Sequence, residues 1–288
     1  MKILVLGATG MAGHLITIYF KEKGHDVTGY SLNPINFCKN IIGNVLETEN
    51  FKNILLEEKY DAVINCIGIL NKVADENKAL AVYLNSYLPH LIADNLKDKE
   101  TKLIQMSTDC VFAGNNSPYF EDSHRDGETF YDRTKALGEI EDKKNLTFRN
   151  SIIGPDMNEN GIGLFNWFMK QNGTINGYTG AIWTGVTTLT LAKAMEHAIM
   201  ENLCGLYNLV NNYSISKYEL LVLFNKYFRD DKIVINRSDR VKLDKSLRRR
   251  RNDFSFQVPS YEQMISEMRD WVYTHKEFYP TYLGANYE

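Results

Sequence analysis

Short apolar runs return at intervals along the first half of the chain. They predict β-strands at residues 2–6, 26–30, 61–66, 102–106 and 146–149. The first run shows no alternation of polar and apolar positions, which is typical of a central parallel strand covered on both faces. The run at 61–66 predicts another buried strand. The pattern therefore favours a parallel sheet with a covered interior.

Segments with apolar residues at helical spacing lie between these strands. They predict helices at residues 14–23, 50–59, 75–95 and 134–143, and two more at 189–200 and 261–275. Gly24 ends the first helix, as a C-terminal glycine does, whereas Pro89 marks a kink or a new first turn in the third. The alternation predicts βαβ units, and so an α/β fold with a doubly wound parallel sheet, the Rossmann arrangement. The polar stretch 114–128 predicts a loop over the strand ends, where such sheets bind ligands.

The regular alternation weakens after Gly154 and Pro155, where aromatic residues and glycines cluster. We expect a first domain, which carries the motifs described below, over residues 1–150. A smaller lobe over residues 151–288 would mainly face the substrate, with residues 185–205 returning to the first domain.

Composition and charge exclude several classes of protein. The 288 residues are 44% hydrophobic and 24% charged, and the formal net charge of −3 draws the chain toward neither nucleic acid nor membranes. Four scattered cysteines without CxxC spacing suit a reducing compartment better than a zinc site or disulfides. The N-terminal run, broken by glycines, is no secretory signal, and no apolar run approaches the roughly 18 to 20 residues of a membrane span. We expect a cytoplasmic protein without a metal site.

A glycine-rich turn follows the first predicted strand. Gly7 permits a tight turn, Gly10 lets the backbone approach a pyrophosphate, and Gly13 permits close packing of helix on strand. Free backbone N–H groups and the helix dipole favour an anion at such a turn. The alternative is a glycine-rich turn that binds no ligand. The predicted cofactor contacts in this turn are Gly7, Thr9, Gly10, Met11, Ala12 and Gly13.

The end of the second strand bears on which dinucleotide is bound. An Asp or Glu at that position binds the ribose 2′-hydroxyl of NAD. Here the sequence is Gly29-Tyr30-Ser31-Leu32-Asn33, with no carboxylate to repel a 2′-phosphate, and the Ser31 hydroxyl can hydrogen-bond one. The missing carboxylate therefore favours NADP(H). Because no arginine is present to bind a 2′-phosphate either, NAD(H) stays open.

A phenol and an ammonium lie four residues apart further along the chain. On a helix, Tyr131 and Lys135 share a face. A tyrosine with its ordinary pKa of ~10 is a poor acid at neutral pH, and a nearby ammonium or an oxidised nicotinamide lowers that pKa. Thr108, at a predicted strand end, can bind the same substrate oxygen. Such a pair alone is common on solvated helices, but the glycine turn and Thr108 make a nicotinamide-dependent oxidoreductase the better interpretation.

These motifs resemble those of the extended short-chain dehydrogenase/reductases, and most closely the dTDP-4-dehydrorhamnose reductases and related nucleotide-sugar reductases. The similarity covers roughly residues 1–222, and STDCVF is its most specific element. Its carriers are GATGMAG at 7–13, STDCVF at 107–112, YDRTK at 131–135, FRNS at 148–151, GAIWTG at 180–185 and GLYNL at 205–209.

The resemblance implies roles for individual residues. Thr108, Tyr131 and Lys135 would be the catalytic trio, with Tyr131 and Lys135 also contacting the cofactor, and Thr108 and Asp109 would face the sugar. Asn44 and Val45 would contact the adenine, although the family usually has an aspartate at position 44. Further contacts are implied for Cys66, Ile67 and Gly68 beside the cofactor, for Ile152 where the family often has a substrate-contacting tryptophan, and for Trp183 on the substrate.

The STDCVF element also separates reaction types. Sugar-nucleotide 4,6-dehydratases, which the chain resembles as well, have Thr-Asp-Glu where this chain has Thr108-Asp109-Cys110. Without that glutamate, dehydration lacks its base. We therefore predict NADPH-dependent reduction of a 4-keto group on a nucleotide-linked deoxysugar, in the synthesis of cell-surface polysaccharide precursors. The alternatives are an epimerase of the same superfamily and a non-catalytic, NADP-binding regulatory subunit.

The expected partner is a nucleotide sugar, with neither nucleic acid nor membrane, and a homodimer is compatible with the sequence. The basic run at 248–251 predicts a solvated face. The alternative is that one of its arginines, or Lys245, binds a substrate phosphate, since a guanidinium binds phosphate bidentately.

Overall fold

The computed structural model describes residues 1–282 of the chain. Seven strands form one parallel sheet, which confirms the predicted α/β fold. The strands of the described residues, including those of two smaller sheets, are β1 (Lys2–Leu6), β2 (Asp26–Ser31), β3 (Lys39–Ile42), β4 (Ala62–Asn65), β5 (Lys102–Ser107), β6 (Leu146–Arg149), β7 (Ser151–Ile153), β8 (Thr174–Trp183), β9 (Gly185–Thr187), β10 (Gly205–Asn208), β11 (Ile215–Ser216) and β12 (Val234–Asp244). The order in the large sheet is β10-β6-β5-β4-β1-β2-β3.

Helices cover both faces of this sheet. The α-helices of the described residues, not all of which lie on this sheet, are α1 (Met11–Glu22), α2 (Thr48–Glu57), α3 (Asn71–Glu76), α4 (Lys78–Ala81), α5 (Leu88–Leu96), α6 (Phe130–Leu137), α7 (Leu164–Met169), α8 (Thr188–Met200), α9 (Lys217–Phe228) and α10 (Tyr261–Thr274). In β1, Ile3 and Val5 belong to the core that contains α1 and α8, while Leu4 and Leu6 belong to the core of α2 and α5. Both faces of β1 are therefore dry, which is why its sequence does not alternate. Among residues 1–282 no helix is long and apolar enough to cross a membrane.

The second half of the chain adds two smaller sheets beside the large one. Strands β11, β8 and β12 form one, and β7 and β9 form the other. Helix α8 packs on α1, β10 pairs with β6, and α10 packs on α8 and α9. The division at residue 150, with the return of residues 185–205, stays a prediction.

Helix α6 begins earlier than the apolar spacing predicts, at residue 130 instead of 134. A reciprocal cap sets this start: the Asp132 N–H donates to Thr129 Oγ1 at 3.1 Å, and the Thr129 N–H donates to Asp132 Oδ2 at 3.2 Å. The cap places Tyr131 in the first turn of the helix, at the edge where the sheet binds ligands.

The predicted helix 75–95 is interrupted at Asn77, where α3 ends and α4 begins. The Asn77 side chain caps α4, and a π-helical turn, Val82–Tyr87, joins α4 to α5. Pro89 lies in the first turn of α5, directly after this π-helical turn, which agrees with the predicted alternative of a new first turn.

Candidate active site

A cavity of about 580 Å³ opens at the carboxyl ends of β1, β4, β5 and β6. Its volume lies within the range of small-molecule sites, and its position is the one where doubly wound sheets bind ligands. The residues that line it are Gly10, Met11, Ala12, Cys66, Ile67, Gly68, Ile69, Leu70, Asn71, Asn85, Met106, Ser107, Thr108, Asp109, Cys110, Tyr131, Lys135, Asn150, Ser151, Ile152, Asp156, Asn158, Asn160, Gly161, Ile162 and Gly163.

The glycine turn forms one wall of this cavity. Gly7 has φ +76°, and a Cβ on Gly13 would lie 2.0 Å from the Gly7 carbonyl oxygen, so neither position accepts a side chain without rearrangement. Gly10 precedes α1 without a side-chain cap, and the first turn carries no acidic residue. The N–H groups at the start of this 12-residue helix are therefore left for an anion. Gly7, Thr9 and Gly13 shape the turn but do not line the cavity itself.

Tyr131 and Thr108 meet on the opposite wall. Thr108 Oγ1 accepts the Cys110 N–H at 3.1 Å and donates to Asp109 Oδ1 at 3.1 Å. The Tyr131 phenol lies near the Thr108 hydroxyl, close enough for that hydroxyl to affect its pKa. Burial raises the pKa of Tyr131, the charge of Cys110 raises it further, and the Thr108 hydroxyl lowers it by a smaller amount. The lowered tyrosine pKa that we expected from Lys135 is therefore not found, because burial dominates.

Lys135 lies one helical turn after Tyr131, and its side chain is buried. Its Nζ donates to the backbone carbonyl of Met106, the penultimate residue of β5, at 2.7 Å. Burial lowers the pKa of Lys135 to about 8, against a smaller raising effect of Glu139. The ammonium is thus held at the cavity wall and titrates near physiological pH.

A buried ionic cluster holds the strand ends that carry these groups. The Arg149 guanidinium, fully buried, donates through Nε and Nη2 to both oxygens of Glu139, at 2.8 and 2.7 Å. The Ser107 hydroxyl donates to Glu139 Oε1 at 2.6 Å, and Arg125 is the second cation on this carboxylate. The cluster connects the end of β6 to the end of β5 and to the segment after α6, so it fixes Thr108 relative to Lys135.

Several predicted cofactor residues lie outside the cavity, beside the glycine turn. The Gly7 N–H donates to the Tyr30 carbonyl, which places the end of β2 against this turn. Ser31 Oγ donates to the Asn33 carbonyl at 2.7 Å, and Asn44 Oδ1 accepts the Leu46 N–H. Both side chains already have intramolecular partners. Val45 is buried.

Trp183 is not brought to the cavity, contrary to the prediction that it contacts substrate. It lies at the end of β8, 5% exposed, and its ring packs on that of Tyr261 at 5.7 Å between centroids. A Cβ on Gly185 would lie 2.3 Å from the Trp183 ring, so the indole fills the space beside β9. The residue belongs to the core between β8 and α10.

Two asparagines of the site were missed from the sequence. Asn85 Oδ1 accepts the Ile69 N–H and Asn85 Nδ2 donates to the Ile69 carbonyl, both at 3.0 Å, which fixes the wall after β4. Asn150 is 2% exposed, and within residues 1–282 neither atom of its amide has a hydrogen-bond partner. The signal for Asn85 was a polar residue on the inner face of a predicted helix.

The arginines at 248–251 do not line the cavity. Arg251 Nη1 donates to the carbonyls of Cys204 and Leu206 at 2.7 and 2.9 Å, and Arg249 donates to the Tyr207 hydroxyl. They hold the chain against β10, so the expected solvated face applies only to the exposed Arg250. Lys245 Nζ lies 3.8 Å from Asp132 Oδ2. Within residues 1–282 no group of acidic, histidine or cysteine side chains is arranged to hold a metal ion.

Comparison with known proteins gives a family-level match. The sequence model described as "RmlD substrate binding domain" matches residues 1–273. The chain is 30% identical over 143 residues to a probable low-salt glycan biosynthesis reductase of Haloferax volcanii, an alignment that covers 48% of each protein. It is 29% identical over 138 residues to dTDP-4-dehydrorhamnose reductase of Streptomyces griseus, covering 47% of this chain and 43% of the relative. These alignments span just under half of the curated relatives.

An enzyme subunit and solved structures also match. Methionine adenosyltransferase 2 subunit beta of Xenopus laevis is 30% identical over 142 residues, covering 48% of this chain and 41% of that protein. The NADP complex of dTDP-4-dehydrorhamnose reductase from Bacillus anthracis superposes with a TM-score of 0.76 at 19% identity, over 93% of this chain and 98% of that one. A UDP-N-acetylglucosamine 4-epimerase from Methanobrevibacter ruminantium gives 0.77 at 17%, over 95% and 98%. At these identities, the structural matches show the fold.

Proposed function

Because the chain belongs to the RmlD substrate-binding domain family, we propose that it reduces the 4-keto group of a nucleotide-linked deoxysugar with NADPH, as a dTDP-4-dehydrorhamnose reductase does, in the synthesis of cell-surface polysaccharide precursors. The observation that carries the proposal is that one cavity joins an uncapped helix start at Gly10 to Thr108, Tyr131 and Lys135. A homodimer and a cytoplasmic location stay predictions.

The glycine turn fits the pyrophosphate of a dinucleotide. The N–H groups of Met11 and Ala12 would bind it at the start of α1, and the bare backbone at Gly10 would let it approach. The adenosine would then lie toward Ser31 and Asn44, and the nicotinamide toward Cys66–Gly68 and Lys135. When bound, the reduced nicotinamide supplies a hydride. The lack of a carboxylate after Tyr30 supports NADP(H), with NAD(H) also allowed.

The cofactors named for similar structures agree with this choice. The reductase from Bacillus anthracis was crystallised with NADP, whereas a dTDP-glucose 4,6-dehydratase from the same organism was crystallised with NAD.

Tyr131 is the proton donor in this proposal. Its raised pKa keeps the phenol protonated at neutral pH, which is the state a reduction needs, since the carbonyl oxygen gains a proton. Thr108 would hold that oxygen with its hydroxyl. Because the oxygen becomes negative as the carbonyl is reduced, two preorganised hydroxyls stabilise it most where the charge develops. The Lys135 ammonium would stabilise the tyrosinate left behind.

Asp109 and Ile152 line the same cavity and supply the sugar side of the proposal. Burial raises the pKa of Asp109, and the Thr108 hydroxyl and Lys245 lower it by smaller amounts. A carboxyl in this position would bind a sugar hydroxyl. Ile152 offers an apolar surface where the resemblance implies a tryptophan, so the sugar bound here would meet a smaller side chain.

A second candidate is a non-catalytic regulatory subunit, because methionine adenosyltransferase 2 subunit beta matches as well in identity and length as the reductases do. The two functions differ in whether NADPH is consumed. The test incubates the protein with NADPH and a panel of 4-keto-6-deoxy sugars carrying dTDP, UDP, GDP or CDP, and measures NADPH absorbance and sugar product together.

We expect one NADPH consumed for each sugar reduced. An epimerase would convert the sugar without net consumption of NADPH. Binding of NADPH without conversion of any sugar in the panel would favour the regulatory subunit and contradict the reductase.

A further inference from the structure

Two buried tyrosines in the segment after α10 are linked by hydrogen bonds to two different walls of the active-site cavity. Tyr279 is 0% exposed and Tyr282 is 3% exposed. Both lie in the segment after α10, far along the chain from the residues they contact. Their hydroxyls reach the glycine turn in one case and the loop at residues 156–163 in the other.

Tyr279 is linked to the glycine turn by a chain of two hydrogen bonds through His14, and a third bond holds its hydroxyl from Trp271. Trp271 Nε1 donates to the Tyr279 hydroxyl at 3.1 Å, this hydroxyl lies 2.8 Å from His14 Nε2, and His14 Nδ1 lies 2.9 Å from the Gly10 carbonyl oxygen. The directions follow from the end groups. A carbonyl only accepts, so Nδ1 carries the proton, Nε2 accepts, and Tyr279 donates to it.

The histidine in this chain is neutral. Burial lowers the pKa of His14 to about 4, against a smaller raising effect of the bond to Gly10. A neutral ring with Nδ1 protonated is the one form that satisfies both neighbours at once. Tyr279, in the segment after α10, therefore holds the peptide group of Gly10 in place through His14. The Cα of Gly10 borders the proposed pyrophosphate site.

Tyr282 binds the opposite rim in a separate network. Its hydroxyl accepts the Asp156 N–H at 2.8 Å and lies 3.0 Å from Asn166 Oδ1, to which it can donate. Asn166 Nδ2 in turn donates to the carbonyls of Glu159 and Gly161, at 3.1 and 2.5 Å. One phenol thus binds the start of this loop directly and residues 159 and 161 through Asn166, and polar side chains of the same loop line the cavity.

We propose that Tyr279 and Tyr282 are positioning residues for two different ligands, Tyr279 for the dinucleotide through His14 and Gly10, and Tyr282 for the nucleotide sugar through the loop at residues 156–163. The assignment of ligands rests on the proposed function. The loop follows β7, which carries Ile152 of the predicted sugar site, and it presents the amides of Asn158 and Asn160 and the carboxyl of Asp156, groups that bind hydroxyls and base edges.

The test removes one hydroxyl at a time and separates cofactor from sugar. Tyr279→Phe should raise the Kd for NADPH, measured by fluorescence titration without sugar, by about 5-fold, as expected for one lost hydrogen bond. Its KM for the keto-sugar nucleotide at saturating NADPH should stay within about 2-fold of the wild-type value. Tyr282→Phe should show the reverse pattern, a raised KM and an unchanged Kd.

Tyr261→Phe is the matched control. Tyr261 is the first residue of α10, and its buried ring carries a hydroxyl that donates to the Tyr213 carbonyl at 2.7 Å, but neither residue lines the cavity. This variant should leave both constants unchanged. Equal effects of Tyr279→Phe and Tyr282→Phe on both constants, or no effect of either, would overturn the proposal.

Hydrogen–deuterium exchange on the wild-type protein tests the same connection without a substitution that impairs folding. Added alone, NADPH should slow exchange in a peptide spanning residues 271–282, because it binds the turn that Tyr279 holds. Unchanged exchange in that peptide contradicts the proposal. If the wild-type protein binds no NADPH, both the proposed function and this inference are rejected. If it binds NADPH but Tyr279→Phe and Tyr282→Phe leave both constants unchanged, only the inference is rejected.

Discussion

The Lys135 ammonium donates a 2.7 Å hydrogen bond to the backbone carbonyl of Met106, which ties helix α6 to strand β5 inside the cavity. This bond does two things at once. It fixes the cation beside Thr108, and it places the cation in a buried setting that lowers its pKa. The proposed activity therefore depends on a lysine whose charge is sensitive to pH.

The pH dependence of kcat should report this lysine. Burial lowers the pKa of Lys135 to about 8, so the ammonium is lost as pH rises through that value. We expect kcat to fall on the alkaline side with an apparent pKa near 8. In Lys135→Met, kcat should be lower by about 10²- to 10⁴-fold and this alkaline fall should be absent. A wild-type kcat that stays flat up to about pH 10, the ordinary range of lysine, contradicts the assignment.

Tyr131→Phe should abolish turnover while leaving the cofactor bound. The phenylalanine keeps the packing of the ring but cannot donate a proton, so we expect kcat to fall by about 10²- to 10⁴-fold. The Kd for NADPH should stay close to the wild-type value. Steady-state kinetics and fluorescence titration measure the two quantities. Turnover at the wild-type rate would show that another group donates the proton.

The cap of α6 should matter more for catalysis than for stability. Thr129→Ala removes the oxygen that accepts the Asp132 N–H and should lower the free energy of unfolding by about 1 kcal/mol. It should also lower kcat, because Tyr131 stands in the turn that the cap fixes. Thr187→Ala is the control: Thr187 Oγ1 accepts the Thr190 N–H at the start of α8, in a cap without the reciprocal bond, and Thr187 lies outside the cavity.

Denaturant unfolding and steady-state kinetics on both variants give the comparison. Similar losses of stability are expected, with a loss of kcat in Thr129→Ala alone. An equal loss of kcat in Thr187→Ala would show that kcat follows general stability instead of the position of Tyr131.

Asn150 and Asn166 are both buried, but they differ in the hydrogen bonding of their amides, so their replacement should change stability in opposite directions. The buried amide of Asn150 has no hydrogen-bond partner among the described residues, so Asn150→Leu, which keeps the branched shape of the side chain, should raise the free energy of unfolding by about 1 kcal/mol. Asn166→Leu should lower it, because the amide of Asn166 is satisfied by Glu159, Gly161 and Tyr282. Denaturant titration checks both. Destabilisation of similar size in the two variants would mean that Asn150 has a partner in solution.

Local sequence was sufficient for the features that depend on local physics. The runs at β1, β4 and β5 are apolar because both faces are covered, and the glycine at position 13 is required because a Cβ there would meet the Gly7 carbonyl. Helix α6 was predicted to start too late because its boundary depends on the cap by Thr129, whereas the prediction used apolar spacing.

The features that could not be predicted from the sequence depend on partners distant along the chain. Trp183 resembled a ligand-contacting aromatic, but Tyr261 supplies the surface on which it packs. No local pattern shows that Asn150 lacks a partner, since that depends on every neighbour of β6. The contact of Tyr279 with His14 likewise joins opposite ends of the chain, and no periodicity in either segment indicates it.

His14 should make stability depend on pH in a window that can be calculated. Its folded-state pKa of about 4 lies below the ordinary value of 6.5, so between these values the unfolded chain binds more protons. The contribution is complete above about pH 6.5 and is lost as pH falls toward 4, by on the order of 3 kcal/mol. Urea unfolding across this range should show a steeper pH dependence in the wild type than in His14→Gln. His90→Gln, at an exposed histidine, should keep the wild-type slope, and equal slopes in all three proteins would mean that His14 is not buried as a neutral ring.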